Sequence, residues 1–114
     1  MSILFDITAL LNTLNVPLET GVFSGVPPDE YLVLTPMTET FAVFGDNKPT
    51  QEVQEVRISL FSKNNYLTRK NQLVRLLLAA DFTITDRRYV GHEDDTGFFN
   101  FCIDVAKEYQ FEEE

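Results

Sequence analysis

The sequence predicts an α+β fold: a mixed, mostly antiparallel sheet of about five strands with two helices packed on one face. Three observations predict it. Over residues 53–61, Val56, Ile58 and Leu60 share one face while Glu55, Arg57 and Ser59 share the other, the period-two pattern of a half-buried strand. Directly after it, Tyr66, Leu67, Leu73, Val74, Leu76, Leu77 and Leu78 recur at helical spacings and form one broad apolar stripe that can cover that strand. Residues 82–90 and 98–109 then read as paired antiparallel strands across a loop, residues 91–97, with glycine at both ends.

The N-terminal residues 2–15 place Ile3, Leu4, Ile7, Leu10, Leu11 and Leu14 on one helical face. Ser2 is positioned as N-cap, and Asp6 lies near the favourable positive end of the helix dipole. Asn15, which tolerates the left-handed conformation, and Pro17 close this first helix. Residues 21–29 contain the Val22-Phe23 pair, Gly25 and Pro27-Pro28, which reads as an edge strand or extended arm followed by a turn. Residues 30–35 and 40–44 are rich in β-branched and aromatic types, and residues 36–39 offer a four-residue hairpin connection between them. Residues 45–50 have the composition of an exposed, mobile polar loop. Asn64 or Asn65 can cap the second helix, which is expected to run to about Ala80. In the last strand Phe99, Phe101, Ile103 and Val105 point one way, and Asn100, Cys102, Asp104 and Ala106 the other.

A chain of 114 residues supports one core, so a single domain over residues 1–114 is expected, with residues 108–114 fraying as an acidic tail. The ten Phe fall in strand-like segments and, lacking a polar handle, are expected mostly in the core. The net charge of −9 argues against affinity gained by neutralising phosphates. Six basic residues lie between Lys63 and Arg88, four of them on or beside the second helix, where a solvated face accounts for them. The Arg87-Arg88 pair beside Tyr89 reads as an outward strand pair answering the nearby acidic loop, rather than as a phosphate patch. No stretch approaches the length of apolar sequence needed to span a bilayer, so synthesis and folding in a reducing cytoplasm without a membrane partner are expected.

The residues that could carry chemistry are few. His92, Glu93, Asp94 and Asp95 are consecutive in a predicted loop, and neighbours in sequence rarely converge on one ion; a solvated turn explains them. The single cysteine, Cys102, has no metal-ligand spacing and reads as an inert sheet thiol. No nucleophile elbow, Gly-rich phosphate loop or zinc-binding helix motif is present. Neither a cofactor, a metal nor a catalytic set is expected.

The order of elements, with the run from Val56 to Tyr66 (VRISLFSKNNY) ahead of the second helix, resembles the tail completion or tail terminator proteins of long-tailed bacteriophages. Residues 57–66, 68–80, Asp81-Phe82 and 98–105 occupy the places of that family's strand, turn, helix and closing strands, and residues 25–33 resemble its Pro- and aromatic-containing lead into the first long strand. The resemblance implies a small non-enzymatic protein that assembles on itself as a ring, commonly a hexamer, at the head-proximal end of the tail. There it would stop growth of the tail tube and join it to the head connector or head-closure protein. DNA would be passing cargo, and the virion neck the place of residence after assembly in the bacterial host cytoplasm. Candidate contact residues on this picture are Val22, Phe23, Asp46, Asn47, Lys48, Arg69, Arg75, His92, Glu93 and Asp94. Two alternatives stand beside it: a head-closure or minor capsid protein of the neck, and a small-molecule binding domain or hydrolase with a pocket between helix and sheet.

Overall fold

The computed structural model describes residues 2–45 and 48–111, with side chains described at all of these except residues 42–45, 48 and 49. Helix α1 spans Ile3–Leu11 and continues as a 3-10 turn, Asn12–Leu14. The strands are β1 (Leu18–Thr20), β2 (Glu30–Gly45), β3 (Lys48–Ser62), β4 (Thr83–His92) and β5 (Phe99–Gln110), with helix α2 (Tyr66–Ala79) between β3 and β4. They form one five-stranded sheet in the order β1-β2-β3-β5-β4, in which the β1–β2 pair is parallel and the other three pairs are antiparallel. This is the α+β architecture that the sequence predicts.

Both helices start where their caps dictate. The Ser2 Oγ accepts from the Phe5 amide at 3.1 Å, and the Asn65 side chain accepts from the Leu67 amide at 3.0 Å. Asn15 leaves the first helix with φ 57°, and Asp81 performs the same turn after the second with φ 65°. Short polar side chains tolerate this left-handed region better than other non-glycine residues.

The core lies between the helices and one face of the sheet. Ile3, Ile7 and Leu11 of α1 and Leu73 and Leu77 of α2 meet Leu32, Leu34, Val56, Ile58, Leu60, Ile103 and Val105. The register sets Leu34, Ile58 and Ile103 in one row across the sheet, with Leu32, Leu60 and Phe101 in the next. Each large aliphatic side chain so buried contributes about 1.5–3 kcal/mol. The apolar stripe of α2 is narrower than its leucines suggest, because Leu67 and Leu78 fall off its axis and are half exposed. Phe is not the main core residue either. Among the described residues only Phe82, Phe98 and Phe101 are buried, while Phe5 is 73% exposed. Branched aliphatics fill the helix–sheet layer, and most aromatic rings gather at its margins.

Four sequence expectations are corrected. The edge strand is Leu18–Thr20, and residues 21–29 with Val22 and Phe23 form the loop after it. Pro36 does not close a hairpin: β2 runs through it as one strand of 16 residues, with register shifts between Pro36 and Glu39 and again near Val43. Proline is tolerated because residues 32 and 34 turn their backbone groups towards β1, where the Leu32 amide donates to Pro17 and the Leu34 carbonyl accepts from Gly21. By alternation Pro36 faces the same outer edge, where no β3 bond requires its missing N–H. β2 therefore runs to Gly45 and β3 begins at Lys48, so Lys48 and Pro49 already pair with Gly45 and Phe44 instead of belonging to a loop. The C-terminus is also tied down further than expected: β5 continues to Gln110, the Phe111 amide donates to the Thr50 carbonyl at 2.9 Å, and the Phe111 ring meets Phe41 edge-on at 5.0 Å.

Candidate assembly interface

The expected contact residues do not converge. At one end of the sheet, where β2 begins and β4 ends, Phe23 lies tilted on Tyr31 at 4.7 Å. Tyr31 stacks on Phe61 at 4.8 Å and meets Phe98 edge-on at 5.3 Å, which makes an aromatic cluster on the face away from the helices. Burial, and then the nearby charge of Glu93, push the Tyr31 hydroxyl pKa upward, so the loop between β4 and β5 reaches this same end. Val22 projects from the preceding loop with 79% of its surface exposed. The loop is latched by Glu19, whose carboxylate accepts from the Ser24 amide at 2.6 Å and from its hydroxyl at 3.0 Å. Between it and the sheet lies a cleft of about 310 Å³ lined in part by Val22, Phe23, Tyr31 and Val33.

His92 ends β4, its Nδ1 3.1 Å from a carboxylate oxygen of Asp94 and its ring 4.5 Å from Phe99. Asp94 is fully exposed, and the Glu93 amide donates to the Phe98 carbonyl, the ordinary bonding of a closed loop. Among the described residues no group of His, Cys, Asp or Glu is arranged to hold a metal ion. Arg69 is occupied: its guanidinium donates to Glu30 at 2.8 Å and to Gln72 at 2.7 Å, joining the start of β2 to α2. Arg75 is exposed on the same helix. Asp46 and Asn47 lie outside the described residues, and Lys48, described in its backbone only, stands at the opposite end of the molecule from His92.

On the sheet face away from the helices, Arg57 donates two bonds to Asp104, at 2.8 and 3.1 Å. That bidentate bond, against an opposing burial effect, holds the Arg57 pKa above its ordinary value. Ser59 and Cys102 face each other beside the pair at 3.6 Å. Every charged side chain in this row has a cross-strand or local partner, since Arg88 donates to Asp86 at 2.8 Å. The row is a satisfied polar surface whose groups are used in holding strands together.

Sequence reasoning missed the two free margins of the sheet. Among the described residues β4 pairs only with β5, and β2 carries β1 only along Leu32–Leu34, which leaves its outer edge bare from Thr35 to Phe41. Met37 and Phe41 on one margin, and Tyr89 and Val90 on the other, are each 41–53% exposed. A groove of about 490 Å³ runs beside the bare stretch of β2, lined by residues that include Ile3, Leu4, Pro36, Met37, Glu39 and Glu55. The missed signal was continuity: β-branched Thr38 and Thr40 alternate with Glu39 and Phe41 straight through the segment that Pro36 seemed to interrupt. No helix among the described residues is long and apolar enough to cross a membrane. No protein-family model matches the sequence, and no curated protein is significantly similar to it.

Proposed function

We propose that this chain is a structural virion-assembly protein of a phage or prophage, a ring subunit that ends the tail tube and joins tail to head. Its mechanism is binding without catalysis. Copies of the chain meet around the ring through sheet margins, and the two ends of the subunit engage the tail tube protein on one side and the head connector or head-closure protein on the other. The observation that carries this reading is the order of elements: a capped short helix, a hairpin far longer than the helical layer, then helix and closing hairpin. From β3 onward it is the order that the sequence shares with the tail terminator proteins it resembles, and the sheet presents bare strand edges on both sides. The acidic balance suits a ring through which DNA passes, because a negative lumen repels the phosphate backbone rather than retaining it.

The test is to delete the gene from a producing phage or prophage and image the particles by electron microscopy. The expected outcome is tails of abnormal length that are not joined to filled heads, with wild-type particles restored by the chain supplied in trans. Normal tails beside heads that leak DNA would move the protein to head closure, and unaltered particles would remove the reading.

A further inference from the structure

We propose that copies of this chain join head to tail by setting the Arg87–Tyr89 side of β4 into the acidic groove along the bare stretch of β2 in the next copy. The inference deepens the ring reading and rests on it for closure, since it names the surfaces that meet. Both surfaces lie on the helix face of the sheet. Arg87 is in register with Ile103 and Tyr89 with Phe101, both core positions of β5, while Glu39 is opposite Gln54, whose side chain accepts from the Ile3 amide at the start of α1. They also lie on opposite margins, since β4 ends the sheet on one side and β2 passes beyond β1 on the other. Joining two such margins keeps the helices of successive copies on one side of a continuous layer. It is a heterologous contact, which generates a ring if the rotation closes and a filament if it does not.

Chemistry matches across the pair. Arg87 and Glu39 are exposed, and neither has a side-chain hydrogen bond or ion pair among the described residues. In a chain of net charge −9, two copies repel each other in general, so association needs a place where the signs are opposed. The groove with Glu39 facing Arg87 is such a place. Each surface also offers an apolar side chain beside its charge, Tyr89 at 49% exposed and Met37 at 41%, a pairing that suits a thioether against a ring. Tracing directions through the three antiparallel pairs, β4 runs opposite to β2, so the two approach antiparallel when the next copy keeps its strand direction. An antiparallel approach that sets Arg87 opposite Glu39 brings Tyr89 to the Pro36–Met37 stretch, where the register shift lies. The register shift between Pro36 and Glu39 bends β2 here and limits a regular backbone ladder, so side chains carry the contact.

Sedimentation of the purified full chain over a range of concentrations tests the pairing. Arg87→Glu alone and Glu39→Arg alone are each expected to weaken self-association at least tenfold, and the two together to restore it. Because both side chains are exposed and unpartnered, the fold should survive, as circular dichroism will check. In a Cys102→Ser background, Met37→Cys with Tyr89→Cys should give disulfide-linked oligomers on mild oxidation. β3 and β5 separate the two positions within one copy, so the bond forms only between copies. A wild-type chain that stays monomeric, single reversals without effect, or a double reversal that fails to restore association would each overturn the pairing. A closed ring that persists through the single reversals overturns it while leaving the ring reading intact. Growth without an end point supports the pairing and overturns closure.

Discussion

Tyr109 ties the last strand to the first helix through one atom: its hydroxyl donates to Asp6 at 2.6 Å across 103 residues of sequence. Burial, then this bond and the Asp6 charge, push the tyrosine pKa well above its ordinary value of 10.0. The folded state therefore holds the proton more tightly than the unfolded chain, so this contribution is fully present below about pH 10 and is lost as pH rises towards the folded value. Denaturant melts from pH 8 to 11 are expected to show stability falling at the alkaline end, and Tyr109→Phe to flatten the fall while costing about 1–3 kcal/mol at pH 8. Part of the slope should remain in the variant, because Tyr31 is shifted in the same direction. An unchanged alkaline slope in Tyr109→Phe would show that the bond does not form. At this scale the sequence is legible where an effect is local. Ser2, Asn15 and Asn65 act on neighbours within three residues, and their roles follow from residue type. The Tyr109–Asp6 bond, or Gln54 accepting from the Ile3 amide, joins segments that only the finished fold brings together.

Elements were legible in proportion to how much of their length faces the core. The half of β3 from Gln54 onward and the helix α2 have one face buried, and a buried face imposes periodicity. The outer half of β2 is exposed on both sides of the sheet from Thr35 to Phe41, so selection for burial leaves no pattern, and Pro36 then reads as a stop. This also predicts how the strand behaves. Amides of β2 and β3 beside the core, near Leu34 and Ile58, should exchange with solvent deuterium only on global unfolding, whereas Glu39 to Phe41 should exchange at least tenfold faster through local opening. Uniform protection along the hairpin would mean that a partner already covers its outer half. The edge-on contact of Phe41 with Phe111 supplies an apolar contact across that half.

The whole molecule is elongated, with extents of 54 × 27 × 24 Å and a radius of gyration of 15.6 Å. A compact chain of this length would have a radius of about 13 Å. The long axis matches one strand: the 16 residues of β2 at about 3.3 Å each span about 53 Å. A molecule of this shape spends its length on two sheet margins, the surfaces that the proposed ring would use. The fold class could be read from the sequence because helices and strands each carried their own period. The candidate interface could not, because edges are defined by which strands lie outermost, a property of topology. Immunogold labelling of intact particles with an antibody to this chain tests the account most directly. The account predicts gold at the junction of head and tail, at the head-proximal end of the tail. Gold along the tail shaft or over the capsid, or particles that carry none of the chain, would contradict it.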